Sequence, residues 1–389
     1  MAPFPLRQGI DRFDRALVGK EKVALIANHT AVDRTGRPTP VALRDAGIHL
    51  SCIFSLEHGY FPVAQDMEAV NKENRIFGVP IFSLYGATAA SLAPDPTHLD
   101  RFDTVIYDVQ DIGSRYYTYI QSLTLFMDEL ARRPKRLIIL DRINPIDGVT
   151  VEGSPLEERY ASFVGRFPIP HRHGLTTGEA ARFYYKRKGY TFPFEVVTVE
   201  GWRRDSFADD YDLPWIPTSP NMPTLDTALL YPGGCLIEGT NLSEGRGTTF
   251  PFRIVGAPGL DPFELCEKLA RLALPGLRFL PLEFRPMFQK EAMKRCGGVY
   301  IDLTDRRAVR PLRAYIAILN TFRSILGDEG FFRMKPYEFV KDIPAIELLL
   351  GDRCLIDMFY KRAPLAEIDG HLAAAEAQWL ADRQECLRY

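Results

Sequence analysis

Short apolar runs separated by amphipathic stretches dominate the first part of the chain. Runs with the length of buried strands lie at 22–27, 49–56, 103–109 and 136–140, and a shorter one lies at 80–84. Amphipathic stretches at 39–46 and 116–132 predict helices between them. Because strands that are buried on both faces form unbroken apolar runs, the pattern predicts a parallel sheet covered by helices, a Rossmann-like α/β architecture.

The second half of the chain has a more mixed pattern. Pro145, Gly148 and Gly153 predict an irregular passage between two domains, so we expect a Rossmann-like catalytic domain over 1–150 and a smaller α+β domain over 151–389. Thr176 and Glu179 form a capping box that predicts a helix start. Further patterns predict strands at 194–199, 277–284 and 299–303, and helices at 176–188, from about 261, and at 311–326, 343–350 and 371–387.

The segment 217–258 is too rich in Gly, Pro, Thr and Asn to be mostly helix or strand, and too long for a simple connection. Its polar side chains can hold a polyhydroxylated, partly anionic small molecule, and they are Asn221, Glu238, Thr240, Asn241, Ser243, Glu244, Arg246 and Thr248. We therefore predict an ordered loop that covers the substrate. The alternative is a packed loop whose polar groups satisfy its own backbone.

Polar and ionisable side chains follow four of the predicted strands. They are Asn28 and His29, then Glu57 and His58, then Asp108, Gln110, Asp111 and Arg115, and finally Asp141, Arg142 and Asn144. Ligands bind outside the carboxyl ends of the strands in such sheets, so the four groups predict an active site at one edge. The chain has no GxGxxG after the first strand, no P-loop motif and no GxSxG motif, so we expect no nucleotide cofactor and no α/β-hydrolase mechanism.

Composition narrows the function further. A net charge of −2 does not favour nucleic acid as a partner, and no apolar run is long enough for membrane insertion. The six cysteines are scattered and include no CxxC pair. His171 and His173 could share a metal ion, but no third ligand is evident nearby, so we expect no metal and no other cofactor. The first residues, MAPFPLRQGIDRF, do not have the pattern of a signal peptide, so we expect a cytoplasmic protein unless a leader has been removed.

Several motifs together resemble the exo-β-N-acetylmuramidase family, formerly a domain of unknown function. They are LEHGYF at 56–61, YDVQDIGSRYYTY at 107–119, LDRINPI at 140–146, GLTTGE at 174–179, and SPNMPT with EGTNLSEGRGT from 219. The resemblance implies a smaller C-terminal domain lying over a Rossmann-like one. It also implies release of N-acetylmuramic acid from the non-reducing ends of peptidoglycan fragments, with a peptidoglycan-derived oligosaccharide or a muramic-acid disaccharide as substrate. Many relatives are exported, so the compartment and the choice between intact wall and recycled fragments stay open.

The residues suit glycoside hydrolysis, which needs a carboxylic acid at the scissile oxygen and a group that stabilises an oxocarbenium-like centre. Glu57 heads the EHG segment that resembles the family's catalytic motif, so we expect it to be the general acid, with His58 orienting it or binding substrate. Candidates for the second group are Asp108, Asp111, Glu238 and Glu244. Retaining, inverting and substrate-assisted routes all stay open.

The expected substrate-binding residues come from both halves of the chain. They are Asn28, Gln110, Arg115, Tyr116, Asn144, Asn221, Glu238, Asn241, Glu244 and Arg246. Arg246, or alternatively Arg115, is expected to hold the lactyl carboxylate of N-acetylmuramic acid in a bidentate contact. Arg246 could instead pair only with Glu244 or Glu238 and hold the loop. Two other functions are not excluded: a sugar-phosphate enzyme, and a non-catalytic binding protein for wall-derived amino sugars.

Overall fold

The computed structural model describes residues 6–65, 67–70, 75–133 and 135–389. Residues 1–5, on which the expectation about a leader partly depends, lie outside the described residues. The large sheet contains β1 (Val23–Ala27), β2 (Leu50–Ser55), β3 (Arg75–Ile76), β4 (Val79–Ser83), β5 (Thr104–Asp108), β6 (Arg136–Leu140) and β7 (Phe194–Val197). Their order is β3-β4-β2-β1-β5-β6-β7, and every neighbouring pair is parallel except β3 with β4.

Helices cover both faces of this sheet, as the sequence predicts for a Rossmann-like fold. Helices α1 (Thr39–Asp45), α2 (Pro96–Leu99), α3 (Thr118–Leu130) and α4 (Thr177–Arg187) lie in the connections between its strands. The apolar side chains of α3 pack on one face with Ile26 and Tyr107, whereas Leu43 of α1 packs on the other face with Leu25 and Ile106. The strands are therefore buried on both faces, which explains why they appear in the sequence as unbroken apolar runs.

The rest of the chain forms a smaller unit of helices around an antiparallel sheet. The strands are β8 (Ile254–Ala257), β9 (Leu277–Phe284) and β10 (Cys296–Leu303), in the order β8-β10-β9. The helices are α5 (Leu225–Gly234), α6 (Pro262–Ala270), α7 (Pro311–Leu326), α8 (Ala345–Leu350), α9 (Arg353–Tyr360) and α10 (Leu365–Asp382).

The strand predicted at 194–199 does not belong to the smaller unit. It is β7, which pairs with β6 through Leu137 and Phe194 and extends the large sheet. Helix α4 forms the crossover between these two parallel strands, and β7 covers the edge that β6 would otherwise expose. The large sheet therefore takes a strand from beyond residue 150, where the sequence argument divides the chain.

Fewer than half of the residues in the segment 217–258 lie in helices or strands, as its composition predicts, but the segment is not one continuous loop. Helix α5 begins after Thr224, whose side chain accepts a hydrogen bond from the Thr227 N–H, and a short 3₁₀ helix follows at Cys235–Gly239. Gly233 suits this helix because a Cβ there would lie 2.0 Å from the Pro311 carbonyl oxygen at the start of α7. Close packing against α7 thus outweighs the low helix propensity of the glycines.

The helices near the C-terminus differ from the prediction in two ways. The terminal helix α10 begins at Leu365 rather than at 371, and Asp369 and Gly370 lie inside it. Burial of Ile368 and Leu372 on one side of α10 stabilises the helix despite these two turn-forming residues. Helix α9 was not predicted, because its capping signal at Asp352 stands beside only a short apolar pattern.

Arg115 joins the large sheet to the smaller unit. Its side chain is fully buried, and Nη2 donates to the carbonyl oxygen of Leu349 at 2.5 Å and to that of Leu350 at 3.4 Å. These carbonyls lie at the C-terminal end of α8, where no further turn of helix can satisfy them. A guanidinium at a helix C-terminus also interacts favourably with the helix dipole. Arg115 is therefore a C-terminal cap that reaches α8 from the loop after β5.

We expect Arg115→Met to lower the free energy of unfolding by about 2–4 kcal/mol, because it leaves buried carbonyls without donors. Urea unfolding monitored by tryptophan fluorescence would measure the change. Arg132→Met is the matched control, since the Arg132 side chain is 70% exposed and forms its ion pair with Glu129, near the end of α3. Equal unfolding midpoints for the Arg115 and Arg132 variants would contradict the capping role.

Candidate functional site

A pocket opens between the carboxyl edge of the large sheet and the smaller unit. It is lined from the sheet side by the loop after β2 and the start of α3, and from the other side by segments of the second half. Its lining residues are Glu57, His58, Tyr116, Tyr117, Thr118, Tyr119, Val164, Ser219, Asn221, Met222, Tyr231, Glu238, Arg246, Phe252, Tyr337 and Glu338. The structure therefore brings together six predicted site residues, namely Glu57, His58, Tyr116, Asn221, Glu238 and Arg246.

Glu57 is held at the N-terminus of α3. Only 4% of the residue is exposed, and its carboxylate accepts a hydrogen bond from the hydroxyl of Thr118, the first residue of that helix. The positive end of the helix dipole therefore lies beside the carboxylate. The preceding strand β2 is buried over almost its whole length, so the backbone that carries Glu57 is fixed as well.

His58 is fixed by its backbone and by its ring. Its φ angle of 71° lies in the left-handed region, which is uncommon for a residue other than glycine. The ring nitrogen Nδ1 donates to the Ala64 carbonyl oxygen at 2.8 Å. A neutral imidazole with its proton on Nδ1 presents Nε2 as a hydrogen-bond acceptor.

Tyrosines form one wall of the pocket. The hydroxyl of Tyr117 lies 2.5 Å from Oγ1 of Thr218, and the hydroxyl of Tyr119 donates to the Thr218 carbonyl oxygen at 2.5 Å. Burial raises the pKa of both phenols, so they stay neutral at physiological pH. Their rings meet edge to face at 4.8 Å. The contacts with Thr218 tie the start of α3 to the segment that leads to Asn221.

Charged groups in the loop after α5 form a paired network. Arg246 donates from Nη2 to Glu238 at 2.7 Å and from Nε to Glu244 at 3.0 Å. Burial alone would raise the pKa of Glu244, but the charges of Lys290 and Arg246 outweigh it and hold the pKa below its usual value. Glu238 also accepts a hydrogen bond from the Tyr337 hydroxyl at 2.5 Å. Arg246 thus pairs with both carboxylates named in the alternative interpretation, and it also lines the pocket.

Several predicted binding residues lie elsewhere and hold the fold. Asn28 accepts a hydrogen bond from the Thr30 N–H at 3.0 Å, Asn144 donates to a carbonyl just before α4, and Asn241 donates to carbonyls of the segment 330–332. Arg115 caps α8, as described above, and does not line the pocket. Glu244 does not line the pocket either, and its carboxylate forms ion pairs with Arg246 and Lys290.

Gln110 lines a second, mostly apolar pocket at the same sheet edge. Trp215 and Arg142 also line this pocket, and Arg142 is paired with Asp108 at 2.6 Å. The Trp215 Nε1 donates to the Met222 carbonyl oxygen at 3.2 Å, and Met222 lies on the first pocket. The segment from Trp215 to Met222 thus lies between the two pockets. The polar residues that follow the four predicted strands line the first pocket, line the second, or make structural contacts instead.

Asp111, a predicted catalytic residue, lines neither of these pockets. Its Oδ1 accepts a hydrogen bond from the Gly113 N–H at 2.8 Å, whereas its Oδ2 is buried and has no hydrogen-bond partner among the described residues. Burial raises the pKa of Asp111 to about 7. Its carboxyl group is therefore substantially protonated at neutral pH.

Tyr337 and Glu338 also line the pocket, from the loop between α7 and α8, and were not predicted. Neither residue stands at a strand exit or in a motif that resembles the family, so the local sequence pattern contained no signal for them. Ser219 and Tyr231 were not predicted as lining residues either, although both lie in the segment predicted to cover the substrate.

The two histidines considered as metal ligands are buried structural groups. His173 Nδ1 accepts a hydrogen bond from the Leu175 N–H at 3.1 Å, and His171 Nε2 lies 3.3 Å from Nη2 of Arg115. Burial lowers the pKa of both imidazoles. Within the described ranges, three or more His, Cys, Asp or Glu side chains do not converge on a possible metal position. In the same ranges, every helix is too short or too polar to span a bilayer.

The pocket at the carboxyl edge of the Rossmann-like sheet contains buried carboxylates beside tyrosines, and carboxylates are the groups with which most glycosidases act. Two family models match consecutive parts of the chain. The N-terminal model of the exo-β-N-acetylmuramidase NamZ matches residues 23–226, and the C-terminal model matches residues 229–389. The chain therefore belongs to the exo-β-N-acetylmuramidase NamZ family, as the motifs predict.

Individual relatives agree with this assignment. The chain is 37% identical over 333 residues to the peptidoglycan β-N-acetylmuramidase NamZ of Bacillus subtilis (strain 168), covering 84% of this chain and 80% of the relative. It is also similar to the crystal structures of two DUF1343 family proteins from Bacteroides fragilis NCTC 9343. Their TM-scores are 0.87 and 0.77 at 28% and 26% identity, and each comparison covers 99% of both chains.

The buried carboxyl of Asp111 gives a prediction for stability against pH. Its pKa is raised by folding, so the folded protein keeps a proton that the unfolded chain loses above pH ~4. The stability from this group is complete below that pH and is lost as the pH rises through about 7. Asp111→Asn removes the dependence, so the variant should gain about 1–3 kcal/mol relative to wild type between pH 5 and pH 8.

Urea unfolding at the two pH values measures this gain. The exposed Asp100→Asn variant is the control and should keep the same difference from wild type at both pH values. A difference between wild type and Asp111→Asn that does not change with pH would contradict the prediction.

Proposed function

We propose that this protein is a glycosidase that releases N-acetylmuramic acid from the non-reducing end of peptidoglycan fragments. The observation that carries the proposal is the position of Glu57, a buried carboxylate of the EHG motif that lines a pocket shared by both halves of the chain. Family membership supports the same reaction. A muramic-acid disaccharide or a longer peptidoglycan-derived oligosaccharide is the proposed substrate.

Glu57 suits the role of general acid for a physical reason. A catalytic acid must stay within hydrogen-bond reach of the leaving oxygen, and rigid placement accounts for much of its effect. The buried strand before Glu57 and the hydroxyl of Thr118 restrict both its backbone and its carboxyl group. His58, fixed by Ala64, is proposed to bind or orient a sugar hydroxyl with its other ring nitrogen.

The lining of the pocket suits a sugar. Tyr117 and Glu57 line it from the sheet side, while Arg246 and Tyr337 line it from the smaller unit. The tyrosine rings offer apolar faces to the sugar, and their neutral hydroxyls can hydrogen-bond to it.

Arg246 is proposed to bind the lactyl carboxylate, the group that distinguishes N-acetylmuramic acid from N-acetylglucosamine. A lactyl carboxylate needs a cation in a pocket that already contains Glu57, Glu238 and Glu338. Arg246 lines that pocket, and Glu238 and Glu244 orient its planar group. A guanidinium can bind a carboxylate in a fixed geometry, which a lysine ammonium cannot reproduce.

Glu57→Gln is the first test of the proposed mechanism. Glutamine keeps the size of the side chain and can still interact with Thr118, but it cannot transfer a proton. We expect turnover of an unactivated N-acetylmuramyl disaccharide to fall by several orders of magnitude, with near-normal thermal stability and retained binding. A substrate with an activated leaving group should lose much less, because such a group departs without protonation.

The Glu57→Gln test needs a control variant and has a clear contradicting result. Glu264→Gln changes an exposed glutamate of α6 and should leave turnover unchanged. If Glu57→Gln keeps most of its activity on the unactivated disaccharide, Glu57 is not the acid. A wild-type protein that binds the disaccharide without cleaving it would instead be a binding protein, and activity that a chelator abolishes would indicate metal-dependent chemistry.

Arg246→Lys tests recognition of the carboxylate. The variant keeps a positive charge between Glu238 and Glu244, so we expect little change in thermal stability. Loss of the planar contact should lower kcat/KM for a chromogenic N-acetylmuramide by an amount equivalent to about 1–3 kcal/mol. Arg295→Lys, at a position that is 73% exposed, serves as the control.

The alternative role predicts a different outcome for the same position. If Arg246 only holds the loop, a folded Arg246→Ala protein should have the kcat/KM of wild type and a lower unfolding temperature. That result would withdraw the recognition role and leave the glycosidase assignment intact.

A further inference from the structure

The second pocket lies where the strand order of the large sheet reverses. The chain runs outward from β1 through β2 to β4, and then returns to place β5 on the other side of β1. Thr30 after β1, Gln110 after β5 and Arg142 after β6 line this pocket. Ligands of open α/β sheets bind at such a switch point. The topology therefore favours a second binding position, beside the pocket that contains Glu57.

The two pockets share one wall, the segment 215–222. Trp215 lines the second pocket and donates from Nε1 to the carbonyl oxygen of Met222, which lines the first. His29 donates from Nε2 to the Pro217 carbonyl oxygen at 2.7 Å, which ties the wall to the loop after β1. Pro217 itself is exposed. The pockets are therefore adjacent, with an exposed ridge between them.

Two side chains of the second pocket suit a saccharide. The Trp215 ring is partly exposed, and the hydrogen bond from its Nε1 holds it in place, so its apolar face can pack on a sugar ring. Gln110 donates from Nε2 to the carbonyl oxygens of Asp111 and Ile143, at 2.7 and 2.9 Å. Both hydrogens of this amide are therefore engaged, which leaves Oε1 as an oriented acceptor for a hydroxyl or an acetamido N–H.

Arg34 adds a positive charge at the rim of the second pocket. It is exposed, and it lines both this pocket and an adjoining surface pocket. Asp33 lines both as well, but its carboxylate pairs with Arg37 at 3.1 Å. The charge of Asp33 is thus balanced, and Arg34 can attract an anionic group with the modest strength of an exposed cation.

We propose that the second pocket is the subsite for the saccharide on the leaving side of the scissile bond. This inference rests on the proposed glycosidase function. The glycan of peptidoglycan alternates N-acetylglucosamine with N-acetylmuramic acid, so a long leaving saccharide carries a further lactyl carboxylate. The terminal sugar occupies the pocket of Glu57, and the leaving saccharide crosses the ridge at Pro217. Its sugars then contact Trp215 and Gln110, with the carboxylate near Arg34.

Trp215→Ala tests the subsite through the length of the substrate. A tetrasaccharide with N-acetylmuramic acid at its non-reducing end reaches the second pocket, whereas a chromogenic N-acetylmuramide places no sugar there. We expect the ratio of the two kcat/KM values, tetrasaccharide over chromogenic substrate, to fall about five- to tenfold, because the sugar loses its apolar contact. Trp215→Phe keeps an aromatic ring and is the matched control, so its ratio should stay within about twofold of wild type.

The same two variants separate a sugar contact from a structural role. Both remove the hydrogen bond to Met222. A Trp215 side chain that only supported the wall would therefore lower both activities in both variants and leave the ratio unchanged. An unchanged ratio in Trp215→Ala would overturn the inference.

Arg34→Gln tests the position of the carboxylate. We expect the same ratio to fall about two- to fivefold at low salt, and the difference from wild type to shrink at high salt, because exposed charges are screened. Arg271→Gln, at a position that is 78% exposed on α6, is the control and should keep the wild-type ratio. A wild-type ratio for Arg34→Gln at low salt would overturn the placement of a carboxylate at Arg34.

Binding without catalysis is measured by fluorescence. The probe is the trisaccharide with N-acetylglucosamine at its non-reducing end, which exo-cleavage leaves from the tetrasaccharide. Of the three tryptophans, Trp202 and Trp379 are buried, so a bound sugar should alter the emission of Trp215. We expect a saturable change in the wild-type protein and none in Trp215→Phe. No change in wild type, or an equal change in the variant, would overturn the inference.

Failure of the proposed function would be recognised separately. If the wild-type protein cleaves no N-acetylmuramide, the glycosidase proposal fails, and the titration alone decides whether the second pocket binds the saccharide. If the wild-type protein cleaves both substrates but neither the ratio nor the fluorescence depends on Trp215, the glycosidase proposal stands and the subsite is overturned.

Discussion

Arg246 lies between two buried carboxylates, Glu238 and Glu244, and the arrangement of the pocket depends on this pairing. Removing a carboxylate from water costs several kcal/mol unless a cation and hydrogen bonds compensate for the lost hydration. Because Lys290 pairs with the second carboxylate as well, the loop after α5 can bring these charges into the interior. The loop after α5 is thus held in place by ion pairs among Glu238, Glu244, Arg246 and Lys290.

The need to satisfy buried carboxylates also links the loop after α5 to the segment between α7 and α8, on the other side of the pocket. Glu238 accepts a hydrogen bond from Tyr337, and the next residue, Glu338, contacts Tyr85 near the large sheet. Arg246, Glu238 and Tyr337 therefore form a continuous polar chain across the smaller unit. Arg115 provides a second tie, from the loop after β5 to the end of α8. Neither half of the chain supplies the complete pocket, so its geometry depends on the contacts that hold the halves together.

How far the sequence predicts this structure depends on the range of the interactions involved. The central strands β1, β2, β5 and β6 were predicted because burial on both faces leaves a local apolar run. The position of Glu57 at the edge of the sheet was predicted in the same way, because Glu57 comes shortly after the end of the apolar run that forms β2. The place of β7 beside β6 did not, because which strands pair is decided by contacts between residues far apart in sequence.

Side-chain direction was the other limit of the sequence argument. Arg115, Asn144 and Asn241 have suitable chemistry and suitable positions, but the structure directs their donors to backbone carbonyls. Buried carbonyls at helix ends and in loops must find donors, and a polar residue at a strand exit can satisfy them as easily as it can bind a ligand. Glu338 is the opposite case. It lines the pocket, but no local sequence pattern distinguishes it from an exposed glutamate.

Backbone conformation is a further constraint at this pocket that the sequence pattern does not show. His58, Phe252 and Glu338 all line it, and all three have positive φ angles of 71°, 61° and 44° although none is glycine. Left-handed residues of this kind are uncommon, and a strained backbone lowers the stability of the folded state. Nine other non-glycine residues among those described also have positive φ angles and do not line the pocket, so this conformation alone does not identify a functional site. At His58 the hydrogen bond to the Ala64 carbonyl is one of the tertiary contacts that outweigh the backbone preference.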